Sequence, residues 1–167
     1  YGSQCVEYLN GMFVFAVWDV LRRRLTITRD RLGIKPLYYW FGEEQLVFGS
    51  ELKAVLAHPG VPRQIDLVAL DQFLTLEYIP SPRTILQNVY KLPPGHRLVL
   101  QDGVLTIESY WDIQVQEIPE DEAACEEMLT HLMRDAARLP LVGDVPLGAL
   151  LSGGIDSSTI VAFMSEA

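Results

Sequence analysis

Apolar residues fall in short, dense runs through the first hundred positions and move to helical spacing only toward the end of the chain. Leu9–Asp19 is apolar, with β-branched and aromatic residues between turn residues, and it predicts a central strand covered on both faces. Asp19 to Arg24 reads as a hairpin connection, with Arg22, Arg23 and Arg24 at its solvated tip. It leads into Leu25–Thr28, whose strict alternation marks a strand with one wet face. Gly33 and Pro36 punctuate a loop, the aromatic run after Pro36 returns as a strand, and Gln45–Phe48 is another. Ser50–Leu56 predicts a short helix with Ser50 at its N-cap. Strands that follow one another in this way, closed by a helix, make an antiparallel α+β unit.

Further along, Asp66 is the expected N-cap of a helix with Leu67, Leu70, Phe73 and Leu74 on one stripe, ended by the prolines of Tyr78–Thr84. Arg97–Leu100 and Val104–Ile107, joined through Gln101–Gly103, predict a hairpin that closes the first domain. The stretch from Tyr110 to Pro119 has the composition of a linker. Glu120, Asp121 and Glu122 then load the start of a helix with negative charge. Its stripe of Cys125, Met128, Leu129, Leu132, Met133 and Ala136 is expected to dock on a parallel sheet, and Pro140 shortens it. From Val145 the pattern changes to a βα unit. Leu147–Leu151 predicts a strand buried on both faces, ending in Ser152-Gly153-Gly154, with a helix from Thr159 capped by Ser157 or Asp156.

Strand, glycine turn and helix N-terminus together make an anion site, where unpaired N–H groups and the helix dipole meet a phosphate. No lysine follows the glycines, so the γ-phosphate grip of a Walker loop is missing. The plainer alternative is a glycine turn joining a strand to a helix in any α/β fold. Thirteen basic against 22 acidic side chains give a net charge of −9, which argues against non-specific nucleic-acid binding. With 49% hydrophobic and 21% charged residues the chain is expected to be globular, with no membrane span or signal peptide expected and the cytoplasm as its expected location. Cys5 and Cys125 lack metal or disulfide spacing and are expected to be buried thiols. His96 opens a strand with no nucleophile nearby in the sequence, and Glu126 and Glu127 fit a solvated helix face.

Ser152-Gly-Gly-Ile-Asp-Ser-Ser158 resembles the pyrophosphate loop of the ATP-pyrophosphatases, which cut ATP between the α and β phosphates to adenylate an oxygen. Leu9–Asp19, Arg29-Asp-Arg-Leu-Gly-Ile-Lys-Pro-Leu-Tyr-Tyr39 and Gly49-Ser-Glu-Leu-Lys-Ala54 resemble the second half of the glutaminase domain of class II glutamine amidotransferases. Tyr78–Thr84 and Lys91–His96 fit the same family. In this order the blocks resemble glutamine-hydrolysing asparagine synthetase of the B type.

The resemblance implies an α+β then α/β layout: part of an Ntn-hydrolase-type antiparallel glutaminase domain over 1–112, a linker over 113–119, and the start of a parallel-sheet ATP-binding domain over 120–167. It implies ATP bound at Leu151, Ser152, Gly153, Gly154, Asp156, Ser157 and Ser158, and Mg2+ near Asp156 through the pyrophosphate. Glutamine and aspartate are the implied substrates. The family often dimerises through its glutaminase domain, so a homodimer is one expected assembly. Its N-terminal Cys nucleophile has no counterpart at Tyr1, and Cys5 cannot replace it because the nucleophile's own α-amino group is the base. No glutaminase catalytic residue is therefore assigned, and the chain is expected to be an internal fragment, inactive by itself. The alternatives are a paralogue amidating another carboxylate, as in cell-surface polysaccharide or β-lactam synthesis, and a non-catalytic module.

Overall fold

A computed structural model describes residues 2–115, 117, 121–144 and 146–166. Tyr1, linker residues 116, 118 and 119, Glu120 at the expected start of the charged helix and Val145 at the expected start of the βα unit lie outside the described residues. The chain divides into two compact units, Tyr1–Ile113 and Gln114–Ala167.

In the first unit a 3-10 turn over Gly2–Tyr8 precedes β1 (Val14–Asp19), β2 (Arg24–Arg29), β3 (Tyr38–Gly42), β4 (Gln45–Gly49), α1 (Leu52–Leu56), α2 (Leu67–Leu76), β5 (Val89–Lys91), β6 (His96–Gln101) and β7 (Val104–Ser109). They form a four-stranded sheet in the order β1-β2-β6-β7 and a three-stranded sheet in the order β4-β3-β5. Every strand pairing among the described residues is antiparallel. The predicted hairpins form for local reasons. Asp19 accepts the Arg22 backbone N–H at 3.0 Å and its guanidinium at 2.8 Å, closing the β1–β2 turn. Asp102 and Gly103 take φ of +50° and +77°, the doubly left-handed turn that matches strand twist in a two-residue hairpin. Ile27, Leu37, Tyr39, Leu92 and Leu98, drawn from both sheets and the segments flanking them, make one core cluster. Trp40, Val55, Val61, Leu86 and Val89 make a second, which joins the three-stranded sheet to α1.

Several expectations need correction. The run Leu9–Asp19 is a strand only from Val14, because the chain bends at Gly11 and Met12, with Gly11 at φ +140°. β1 is an edge strand paired with β2 alone, so it is not central, and Trp18 is 54% exposed. β2, expected to have a wet face, is covered on both sides: Ile27 and Thr28 are each fully buried. It lies between β1 and β6, and the Gly2–Tyr8 turn lies over its Thr26 and Thr28 face. α1 is entered through Glu51 with no side-chain cap, because Ser50 sits one residue too early to reach its first N–H groups.

Asp66 caps α2 as expected. Its Oδ1 accepts the N–H groups of Val68 at 2.9 Å and Ala69 at 3.2 Å, and Oδ2 pairs with Arg83 at 2.6 Å. The apolar stripe of α2 nevertheless faces outward, with Leu67 and Leu74 about three-quarters exposed, while the small Ala69 packs inward. Burial pushes the Asp66 carboxyl up, but the bonds from Ala69, Arg83 and Val68 outweigh it and hold the group below the usual carboxylate range. Its stabilising contribution is therefore complete above the unfolded value of about 4 and disappears as pH falls through the lower folded value. Thermal melts of Asp66→Ala against the parent chain are expected to differ by a few degrees at neutral pH and to converge in acid. An equal gap at every pH would remove the charge from this account.

The second unit holds α3 (Glu122–Arg138), a 3-10 turn over Leu139–Leu141, and α4 (Ile155–Ser165). Asp121 caps α3 by accepting the Ala124 N–H at 2.9 Å. The helix stops at Arg138 ahead of Pro140, which cannot donate to the ladder. α3 packs on α4, with Arg134 bonded to Glu166 at 2.9 Å and lying 5.7 Å from the centre of the Phe163 ring. Leu147–Leu151 does not form the expected buried strand: it is irregular, and Leu150 is 98% exposed. A parallel strand exists only through hydrogen bonds to a neighbour, and among the described residues this unit has no other strand. The α3 stripe fails to find its sheet for the same reason, leaving Met128, Leu129 and Leu132 exposed.

Candidate functional site

The glycine turn ahead of α4 is the site the sequence singles out. Gly153 adopts φ +83°, and a Cβ placed there would meet nothing within 4 Å, so the left-handed backbone conformation alone favours glycine. Gly154 is the N-cap in extended conformation, and α4 begins at Ile155, four residues before the expected Thr159. Ser157 and Asp156 thus lie in the first turn and do not cap it. Their expected role falls to Gly154, which serves as an N-cap without a side chain.

The first backbone bond of this helix end joins the Ser158 N–H to the Gly154 carbonyl at 3.1 Å. The N–H groups of Ile155, Asp156 and Ser157 come before it and have no acceptor within the helix. Three hydroxyls surround them. Ser157 Oγ donates to the Gly154 carbonyl at 3.2 Å, Ser158 Oγ donates to the same carbonyl at 2.8 Å, and Ser152 Oγ lies 2.8 Å from Ser157 Oγ. The Gly154 N–H reaches Ser152 Oγ at 3.4 Å. The turn brings together Ser152, Gly153, Gly154, Ser157 and Ser158, with Leu151 and Asp156 exposed beside them.

This arrangement presents backbone donors, orientable hydroxyls and the positive end of an eleven-residue helix to solvent, which suits an anion with several oxygens. Asp156 places a carboxylate at the same helix end. A phosphate and a carboxylate there repel each other unless a cation lies between them. Among the described residues no cluster of three or more His, Cys, Asp or Glu could hold a metal alone. One carboxylate is nonetheless the usual protein share of an Mg2+ site completed by phosphates and water, so the donor set fits magnesium that arrives with a nucleotide.

A second construction, in the first unit, was only partly visible in the sequence. Arg29 donates to three carbonyls: Lys35 at 2.7 Å through Nε, and Leu92 and Gly33 at 2.6 Å through its two terminal nitrogens. Burial pushes this guanidinium below its ordinary value, against the opposing influence of Asp30. Asp30 is 1% exposed, and its two carboxylate oxygens accept the N–H groups of Ile34 at 2.9 Å and Lys35 at 3.0 Å. Its own N–H donates to the Phe13 carbonyl, and its carbonyl accepts from Gly33 and Gly95. Tyr110 adds a bond to the Arg29 carbonyl at 2.6 Å. The Arg-Asp pair followed by Gly-x-Lys-Pro was the available signal; what it signals is a fixed loop.

The remaining candidates are explained by local structure. His96 Nδ1 sits 2.7 Å from the Pro94 carbonyl, an exposed contact two residues away. Neither Cys5 nor Cys125 is in a disulfide, and each is half-buried where a buried thiol was expected. Glu126 and Glu127 lie on the exposed face of α3.

Antiparallel sheets with this loop chemistry define an amidotransferase-like chain. Residues 1–111 match the glutamine amidotransferase domain family, and the chain belongs to it. Residues 128–167 match the asparagine synthase family. The chain is 38% identical over 161 residues to asparagine synthetase (glutamine-hydrolyzing) 3 of Bacillus subtilis, covering 96% of this chain and 26% of that protein. It is 36% identical over 169 residues to putative asparagine synthetase (glutamine-hydrolyzing) 2 of Methanocaldococcus jannaschii, covering 99% and 33%. Amidase chry2 of Gibberella zeae is 33% identical over 171 residues, covering 99% and 25%. The chain thus spans about a quarter to a third of the length of these relatives. Among the described residues no helix is long and apolar enough to cross a membrane.

Proposed function

We propose that this chain is part of a cytosolic, ATP-dependent, glutamine-hydrolysing asparagine synthetase. Such an enzyme converts aspartate, glutamine and ATP to asparagine, glutamate, AMP and pyrophosphate through an acyl-adenylate. The observation that carries the reading is the Ser152–Ser158 turn at the head of α4, with unpaired N–H groups, three hydroxyls and one carboxylate at a single helix end. In this reading residues 1–112 belong to the glutaminase domain, 113–119 link it, and 120–167 begin the ATP-binding domain. Leu147–Leu151 becomes a parallel strand there once neighbouring strands supply its hydrogen bonds. The Leu151 backbone meets the nucleotide. Ser152, Gly153, Gly154, Ser157 and Ser158 hold the pyrophosphate, and Asp156 faces its Mg2+. A homodimer is the proposed assembly.

The relative named an amidase favours a second reading, a paralogue working on another carboxylate. Exchange of labelled pyrophosphate into ATP by a full-length enzyme carrying this chain separates the two. Exchange that depends on aspartate is expected. Exchange with another acid alone would move the function to a paralogue, and none with any acid would favour a non-catalytic module.

A further inference from the structure

The bend before β1 carries a chemical liability that the proposed function does not use. Asn10 and Gly11 are both exposed, and among the described residues no hydrogen bond holds the Asn10 side chain or the Gly11 N–H. Gly11 sits at φ +140°, and a Cβ placed there would meet nothing within 4 Å. A glycine nitrogen without a neighbouring Cβ, in a segment outside any ladder, can turn toward the preceding side-chain amide at little steric cost.

We propose that Asn10 is a site of spontaneous deamidation. The Gly11 backbone nitrogen attacks Asn10 Cγ, forming a C–N bond as the Cγ–Nδ2 bond breaks and ammonia leaves with the displaced proton. Water then opens the five-membered imide. Attack at Cγ gives aspartate on the ordinary backbone; attack at the main-chain carbonyl gives isoaspartate, with the backbone rerouted through the side chain. Amide and water become carboxylate and ammonium, and no oxidant or catalyst is required.

Two other positions in the chain serve as internal controls. Asn88 is exposed and at φ +62°, but it is followed by Val89, which is 1% exposed and inside β5. Its nitrogen is shielded by a branched, buried side chain. Asp102-Gly103 has the glycine, but it is fixed in the turn between β6 and β7, where both residues have positive φ. The reaction also has a structural consequence. Isoaspartate lengthens the backbone just before Phe13, whose carbonyl accepts the Asp30 N–H at 2.9 Å, so the change pulls on the start of the fixed loop.

Peptide mapping after incubation of the chain at mildly alkaline pH tests this, with an isoaspartyl methyltransferase as second readout. The tryptic peptide ending at Arg22 is expected to gain the mass of an amide-to-acid conversion and to accept methyl groups. It should do so at least about tenfold faster than the Asn88 peptide, and at a rate close to that of the urea-unfolded chain. Asn10→Gln should abolish methyl acceptance, and Gly11→Ala should slow it by about tenfold or more. A native rate tenfold or more below the unfolded one, or conversion at Asn88 ahead of Asn10, would overturn the proposal.

Discussion

Replacing Asp30 by alanine is expected to cost the first unit about 3 kcal/mol, and to lower its melting temperature by roughly 10–20 °C. The carboxylate is 1% exposed and accepts two backbone N–H groups, from Ile34 and Lys35. Alanine leaves both donors without a partner, and bonds to a charged acceptor are among the stronger ones a chain makes. Asp30→Asn is the informative companion. Its single carbonyl oxygen satisfies one N–H, while its amide group turns a donor toward the other, so about half of the loss should remain. Arg29→Lys tests the other half of the construction. A lysine carries one compact ammonium and cannot reach three carbonyls that lie in different directions as a planar guanidinium does. Thermal unfolding followed by near-ultraviolet circular dichroism, which reports the Trp40 and Tyr39 cores, reads all three. A loss under about 1 kcal/mol for Asp30→Ala would mean that water replaces the carboxylate, as it does at exposed pairs.

The same loop shows where the sequence stops being legible. The hairpins β1–β2, β3–β4 and β6–β7 can be read from apolar runs separated by turn residues, because pairing and turn lie within a few residues of each other. Pairing of β2 with β6 and of β3 with β5 joins segments far apart in the chain, and no local pattern encodes it. Arg29 reaches a carbonyl 63 residues away, so its role could not be seen beside its neighbours. The wet face assigned to β2 is the corresponding error: alternation distinguishes two faces, but only the neighbours decide what covers each. In the second unit the chemistry was more legible than the geometry. The residues Ser152, Gly153, Gly154, Asp156, Ser157 and Ser158 do gather at one helix end, yet the helix starts at Ile155 because glycine itself can cap. The strand expected ahead of it had apolar composition in its favour, but among the described residues its unit holds no strand to pair with, and composition alone does not make a ladder.

In a full-length enzyme carrying this stretch, Asp156→Ala is expected to reduce pyrophosphate exchange by about 100-fold or more, close to 3 kcal/mol of transition-state stabilisation, while leaving glutamine hydrolysis unchanged. Two roles for the carboxylate predict opposite results. As a mere partner of the helix dipole, Asp156 contributes a few tenths of a kcal/mol to α4 and competes with any anion for the same positive end. Its removal would then leave nucleotide binding unchanged or tighter. As the protein's share of a magnesium site, it lets a negatively charged phosphate and a carboxylate occupy one helix end, and its loss restores their repulsion through the missing cation. Exchange should then fall, and the magnesium concentration needed for half-maximal exchange should rise. Asp156→Asn keeps the size and removes the charge, so it should follow alanine in the magnesium role and stay near the parent in the dipole role. Unchanged magnesium dependence in both variants would leave the N–H groups and the hydroxyls of Ser152, Ser157 and Ser158 to hold the pyrophosphate without a metal bridge to Asp156.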